Sequence, residues 1–436
     1  MTPELARALA SAFLAGQWSR QGLVHSGSVV LRRRTDWLPA LASQVLEVYP
    51  QAPLDRPREL AAVLTTRPTA ERAGDLRPRS HASTPTRMVS NPWHLPALDD
   101  LHGVAELLRL TGPELAWFSD PRHWARTAPD GPLQHYRTST RLSPSGAVRV
   151  LEAPKPRLKE LQRTLLRRVL SAVPPHDAAH GFRTGRSVAS YARPHAGRAV
   201  VIRLDLEGFF ASVSVGRVYG LLRTAGYPEP VAHCLAGLMT TVLPLRAWQQ
   251  VPLPTAPGLQ AAHWRLGRRL AAPHLPQGAP TSPAVANLAA YRLDVRLSAL
   301  VAAWGGRYTR YADDLALSGD RGWRSGTPRL LDRVEEIVRE EGFRLNAHKT
   351  AVLPRGGRQV LGGLVVNDRP HVPRADVDLL RAIVHNCMRH GPSTQNRAGH
   401  PNFRAHLEGR VAWVLQHDQE RGTRLQGELA AVDWTR

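Results

Sequence analysis

Cysteine is almost missing from this sequence: Cys234 and Cys387 are the whole complement. Two thiols cannot build a disulfide framework, so the chain reads as one made for a reducing compartment, the cytoplasm. Long apolar runs are missing as well. None approaches the ~18 residues that a membrane-spanning helix needs. The first residues, with Glu4 and Arg7 among short apolar stretches, suit an amphipathic helix better than a signal peptide. No Cys-x-x-Cys pair accompanies His176, His180, His385, His390 or His400, so a zinc site is not expected. Lysine is scarce: Lys155, Lys159 and Lys349 stand against 55 arginines.

Acid is in short supply too, and the net charge of +22 over 436 residues points to a polyanionic partner, nucleic acid ahead of an acidic membrane. The excess is not spread evenly. Residues 121–203 hold 16 Arg and Lys against 4 Asp and Glu, an electrostatic footprint of the kind phosphate backbones require.

The length allows more than one compact unit. Residues 1–65 read as helical in pieces, and residues 66–96, rich in Pro, Arg, Ser and Thr, as a linker. Helical spacing resumes at Leu98. The central block, about 135–367, alternates short β-rich runs with helices, with a Pro-rich insertion at 244–274, and 368–436 turns helical again.

The chemistry gathers around carboxylates. RAVVIRLDLEGFFASV (198–213) opens with β-branched residues and sets Asp205 at the end of a strand. RYTRYADDLALSGD (307–320) reads as a hairpin with Asp313 and Asp314 at its tip. Carboxylates brought together this way make an oxygen-rich site suited to hard Mg²⁺, which keeps positions open for a triphosphate. Two such ions ~3.5–4 Å apart can activate an attacking oxygen and stabilise a leaving one. Asp-Asp in a turn is by itself an ordinary solvated hairpin tip. What raises it above that is company: LPQGAPTSPAVANL (275–288) places Gln277 and Gly278 before a helix, where Gly278 permits close backbone approach.

YADD at 311–314, LPQGAPTSPAVANL and DLEGFF at 205–210 resemble the reverse transcriptase family, in its bacterial retron-type branch, over about residues 135–436. The resemblance implies an α+β right-hand polymerase with fingers, a palm of antiparallel sheet packed on helices, and a helical thumb, here with a helical N-terminal extension. With the helical extension and linker read at 1–96, it implies fingers and palm over 97–367 and a thumb over 368–436. By the same resemblance Asp205, Leu206, Asp313 and Asp314 would hold two Mg²⁺ ions. Lys349 would protonate the departing pyrophosphate, a task open to an ammonium and closed to a guanidinium. Arg149, Gln277 and Gly278 would hold the nucleotide, and Phe210 would exclude a ribose 2′-OH. At least one of Phe209 and Phe210 belongs to the core instead, since consecutive strand residues face opposite sides. Lys155, Arg157, Lys159, Arg183, Arg186, His195, Gly362 and Gly363 would face nucleic acid, the glycine pair by bringing backbone close to the primer.

Two signatures of the retron branch are imperfect here. Tyr191 stands where the family has Asn ahead of Ala192 and His195, and Leu361 and Gly362 stand where it has Val and Thr ahead of Gly363. The resemblance nonetheless implies a structured non-coding RNA as template and primer, an RNA–DNA hybrid product branched at a 2′-OH, a use in antiphage defence, and an effector protein as a further partner. Rival readings are a reverse transcriptase of group II intron or other defence type, an RNA polymerase, and an RNA-binding scaffold with an idle palm. The short tail after 367 speaks against the intron enzyme, and intact Asp205, Asp313, Asp314, Gln277 and Lys349 against the scaffold.

Overall fold

A computed structural model of the chain describes residues 1–129, 131–143 and 146–435. It divides into two compact units, Met1–Pro174 with Phe210–Ala289, and Pro175–Phe209 with Ala290–Arg436. The expected boundaries at 96 and 367 are not the lines along which it parts. The N-terminal extension belongs to the first unit, and the C-terminal helices share the second with the carboxylate-bearing strands. Among the described residues no helix is long and apolar enough to cross a membrane.

In the first unit, four helices (Pro3–Ala15, Arg20–Leu31, Leu38–Val48 and Pro57–Thr66) close over one core of Leu5, Leu9, Phe13, Leu23, Leu38, Leu41, Leu60 and Leu64. Local chemistry starts them: Thr2 and Ser19 cap the first two through their hydroxyls, and proline opens the first and last. The fourth helix has no cap of its own. The Glu229 carboxylate, far along the chain, accepts from Arg58 N and Glu59 N instead and ties the bundle to the rest of its unit. The segment expected as a linker is a strap laid on this bundle: Arg79 N donates to Val30 O and Arg87 N to Leu54 O, while Leu76 and Ala82 pack on the core.

The same unit carries the hairpin β1 (Tyr136–Leu142) and β2 (Val148–Pro154). The Pro-rich insertion forms two helices, Leu245–Gln249 and Pro257–Leu270, and its ends are pinned: Thr241 and His274 exchange both main-chain hydrogen bonds. His274 is also one side of a buried ion pair. Its Nε2 lies 2.8 Å from Glu152 Oε2 on β2, and Nδ1 donates to Ala272 O at 2.7 Å. Both ring nitrogens are thereby asked to donate, which only the imidazolium does.

The second unit is built on an antiparallel sheet of order β4-β5-β3-β6: β3 (Val200–Asp205), β4 (Arg307–Tyr311), β5 (Asp314–Gly319) and β6 (Ala351–Pro354). Its inward residues Val201 and Ala316 share a core with Leu361, Leu364 and Val366, and with Leu380, Val384, Leu407, Val411 and Leu425 of helices Arg374–His390, Phe403–His417 and Gln419–Ala430. The helical tail is therefore joined to the sheet by a common apolar interior rather than folded as a separate body.

The His274–Glu152 pair sets a pH dependence. Burial opposes the imidazolium, but Glu152 and the Ala272 carbonyl outweigh it, so the His274 pKa lies above its ordinary 6.5. A raised folded-state pKa stabilises fully below ~6.5 and is lost as pH climbs through the raised value. Denaturant midpoints measured across that range should fall with rising pH in the wild type. His274→Ala should remove this slope and lower stability by about 3–5 kcal/mol, because Glu152 is left buried and unpaired.

Candidate active site

Register brings the acidic residues together. Asp205 ends β3 directly opposite Asp314, the first residue of β5. Asp313 sits beside it in the two-residue turn from β4, and its carbonyl accepts from Leu206 N at 2.9 Å. The turn needs an unusual backbone: Ala312 has φ 57°, a left-handed setting that a non-glycine residue seldom takes. Three carboxylates thus crowd one end of the sheet, Asp205 buried and Asp314 half-buried. Like charges opposed across a ladder repel. Burial first, then Asp313 and Asp205, push the Asp314 pKa up to about 6, against the pull of Lys349 and Arg203.

Asp205 is held by the segment that comes after the long helix Trp323–Glu340. Lys349 Nζ lies 2.7 Å from its Oδ1, Asn346 Nδ2 donates to Oδ2 at 3.3 Å, and Asn346 N donates to its main-chain oxygen at 2.8 Å. Sequence reasoning missed Asn346. Its only signal was its place three residues before Lys349 in FRLNAHKT. The donors are all hard oxygens, which fits a small divalent cation. Among the described residues no three acidic, histidine or cysteine side chains close into a metal cage.

Other nominated residues of the second unit fall in different places. Arg183 and Arg186 both reach Asp177, at 3.2 and 3.7 Å. His195 is a correction. Expected against nucleic acid, it is fully buried, with Nδ1 2.7 Å from Ser318 Oγ and Nε2 2.8 Å from Thr309 Oγ1. The Thr309 hydroxyl donates to Tyr191 O, so it accepts from Nε2–H, and the ring is a neutral cross-link of β4, β5 and the preceding helix. Gly362 and Gly363 lie at the turn after Val360–Leu361 with φ 55° and 84°. A Cβ on Gly362 would stand 2.5 Å from Val188 Cγ1 and 3.7 Å from the Tyr191 ring, so the chain itself demands this glycine. Two of the departures from the retron signatures, Tyr191 and Gly362, are therefore neighbours, although it is Val188 that leaves no room at 362.

In the first unit, Arg149 stands exposed on β2 opposite Arg141, a doubly positive rung. The Gln277 carbonyl accepts from Glu152 N at 2.9 Å. Gly278 has φ 137°, a setting L side chains rarely adopt, and a Cβ there would lie a tight 3.1 Å from Glu152 O, so the backbone already calls for the glycine expected to admit a nucleotide. Phe210 is half-buried and opens a short turn, whereas Phe209, at the end of the second unit, is buried against Phe343. One of the pair is core, as expected, but not for the expected reason, since β3 has ended at Asp205. Lys155 gives its ammonium to the carbonyls of Gly131 and Pro132. Arg157 and Lys159 are exposed on helix Pro156–Arg168, Arg157 at 3.7 Å from Glu160.

A family profile described as reverse transcriptase (RNA-dependent DNA polymerase) matches residues 140–364. Retron Mx65 reverse transcriptase of Myxococcus xanthus is 41% identical over 308 residues, covering 70% of this chain and 66% of its own. Retron Mx162 reverse transcriptase of the same organism is 37% identical, covering 78% and 68%. Retron Ec86 reverse transcriptase of Escherichia coli is 27% identical, covering 76% and 88%. The chain thus spans about two thirds of the length of the first two relatives.

Burial of His195, with His180 and Arg198 nearby, drops its pKa from 6.5 to about 3. A depressed histidine stabilises above ~6.5 and loses that contribution as pH falls toward the folded value. Acid titration of the denaturant midpoint should show this loss, and His195→Gln should flatten it. The same variant should cost about 1–3 kcal/mol at neutral pH through misplaced partners for Ser318 and Thr309.

Proposed function

Because the chain belongs to the reverse transcriptase family, in its bacterial retron-type branch, we propose that it copies a structured partner RNA into DNA. The observation that carries this reading is the opposition of Asp205 and Asp314 across β3 and β5, with Asp313 beside them and Lys349 on Asp205. An RNA-binding scaffold has no use for repelling carboxylates at one strand end.

Asp205, Asp313 and Asp314, with Leu206 through its main-chain oxygen, would hold two Mg²⁺ ions. Bound there, the ions would activate a primer hydroxyl and stabilise the departing pyrophosphate. The hydroxyl oxygen bonds to the α-phosphorus as the bond to pyrophosphate breaks. Lys349 Nζ is the chain's proton donor for that leaving group, since its ammonium already lies at the carboxylates and half of its side chain is open to solvent. Arg149 carries charge for the triphosphate, and Gln277 and Gly278 border the nucleotide. Phe210, half-buried, sets its ring against a ribose 2′-OH. Lys155, Arg157, Lys159, Arg183 and Arg186 serve phosphates, where charge suffices without sequence reading. Gly362 and Gly363 form the turn that meets the primer. In the cell we place this activity in the cytoplasm, primed from a 2′-OH of the partner RNA, yielding branched RNA–DNA for antiphage defence together with an effector protein.

Primer extension on an RNA template with deoxynucleotides and magnesium tests the polymerase. Asp313→Asn should reduce the rate at least ~100-fold, the loss expected when charge stabilisation of the transition state is removed. A wild-type protein that incorporates nothing under these conditions would overturn the reading. Phe210→Ala should raise ribonucleotide use at least ~10-fold relative to deoxynucleotide use. An unchanged ratio would point to an RNA polymerase.

A further inference from the structure

Arg310, one residue before the YADD turn, is completely buried, as is its partner Asp294 on helix Tyr291–Ala303. Its Nε donates to Asp294 Oδ1 at 2.8 Å and Nη2 to Oδ2 at 2.6 Å, a forked pair. The Tyr308 hydroxyl donates to the same Oδ1 at 2.8 Å. If this were only a core ion pair, the fork would be enough. A third contact goes elsewhere: Nη1 donates to Ala312 O at 3.0 Å.

Ala312 is the residue with φ 57°. For a side chain bearing a Cβ, that setting costs about 1–2 kcal/mol. Two features hold it there. The guanidinium grips the carbonyl, and Gly181 backs the peptide from the other side, where a Cβ would lie 2.6 Å from Ala312 N. The segment containing Gly181 is itself fastened to the strand: Arg310 N donates to Ala178 O, and His180 N to Arg310 O, each at 2.7 Å.

We propose that Arg310, anchored on Asp294, is a latch that keeps the Ala312 peptide left-handed and so fixes the directions of Asp313 and Asp314. Arg310 touches no substrate in this scheme; it is a positioning residue. A lysine could keep the charge against Asp294, but it lacks the rigid fork that serves the carboxylate and the turn carbonyl together. The inference rests on the assignment of Asp313 and Asp314 to nucleotide transfer.

The test is steady-state primer extension by Arg310→Lys across nucleotide and magnesium concentrations. Misaimed carboxylates should lower kcat on the order of 10–100-fold, while KM for the nucleotide and affinity for primer–template stay within about twofold. Half-maximal rate should require several-fold more magnesium, as expected when metal-holding side chains lose their preset directions. Adding Ala312→Gly should recover much of the lost kcat, because glycine takes φ near +57° without strain and no longer needs the latch. A core ion pair with no bearing on the turn would give no such rescue. Should Arg310→Lys not fold, Gly181→Ala presses on the same peptide without touching the buried charges. It should show the same kcat loss at unchanged KM, and no rescue by Ala312→Gly, because the atoms it presses on are main-chain. Wild-type kcat in a folded Arg310→Lys or Gly181→Ala, or absence of rescue of a folded Arg310→Lys, overturns the latch. An inactive wild type overturns the assignment of the aspartates instead, and an active wild type with a dead Asp313→Asn separates the two.

Discussion

Repulsion between Asp205 and Asp314 is the constraint around which the second unit is organised. Antiparallel pairing of β3 with β5 sets the two carboxylates face to face, an arrangement a sheet avoids unless something compensates. Compensation comes from several directions. Lys349 and Asn346 engage Asp205, Leu206 N takes the Asp313 carbonyl, and Arg310 secures the turn that carries both hairpin aspartates. Each support arises from a different stretch of chain, so the site exists only when the sheet is formed. Concentrating negative charge in advance, on a scaffold already in place, is what the proposed cation site calls for.

Glycine and histidine show how easily a structural need passes for a chemical one. Gly278 and Gly362 suit a surface that must come close to nucleic acid. Each already answers a structural need, a backbone at φ 137° in one case and the Val188 side chain in the other. The first unit keeps a buried imidazolium in His274, against Glu152. The second keeps a buried neutral imidazole in His195, between two hydroxyls. Identical side chains take opposite charge states because their partners differ: a carboxylate favours the proton, and burial without one expels it.

Much of the site could be read without coordinates. The strand ending at Asp205 and the hairpin tip at Asp313 and Asp314 announce themselves by β-branched runs broken at acidic residues. Helices within 1–65 and 368–436 arise from apolar spacing, although the patterns of Arg20–Leu31 and Pro57–Thr66 are too short and mixed to single them out. The strap at 66–96 reads as a linker for a similar reason. Its few apolar residues, Leu76 and Ala82 among them, have no periodicity, yet they are the ones that pack on the bundle.

What the sequence determined by itself was the kind of its strongly patterned elements, the sign and crowding of its charges, and the family to which its motifs belong. All of these depend on residues within a few positions of one another. Only the tertiary structure decided that Asp205 faces Asp314, that His195 is sealed between Thr309 and Ser318, that Arg310 grips its own turn while anchored to Asp294, and that the C-terminal helices share a core with the sheet. Those facts turn on register and burial among residues mostly far apart in the chain. Such contacts exist only after the apolar faces have met, and no local pattern spells them out.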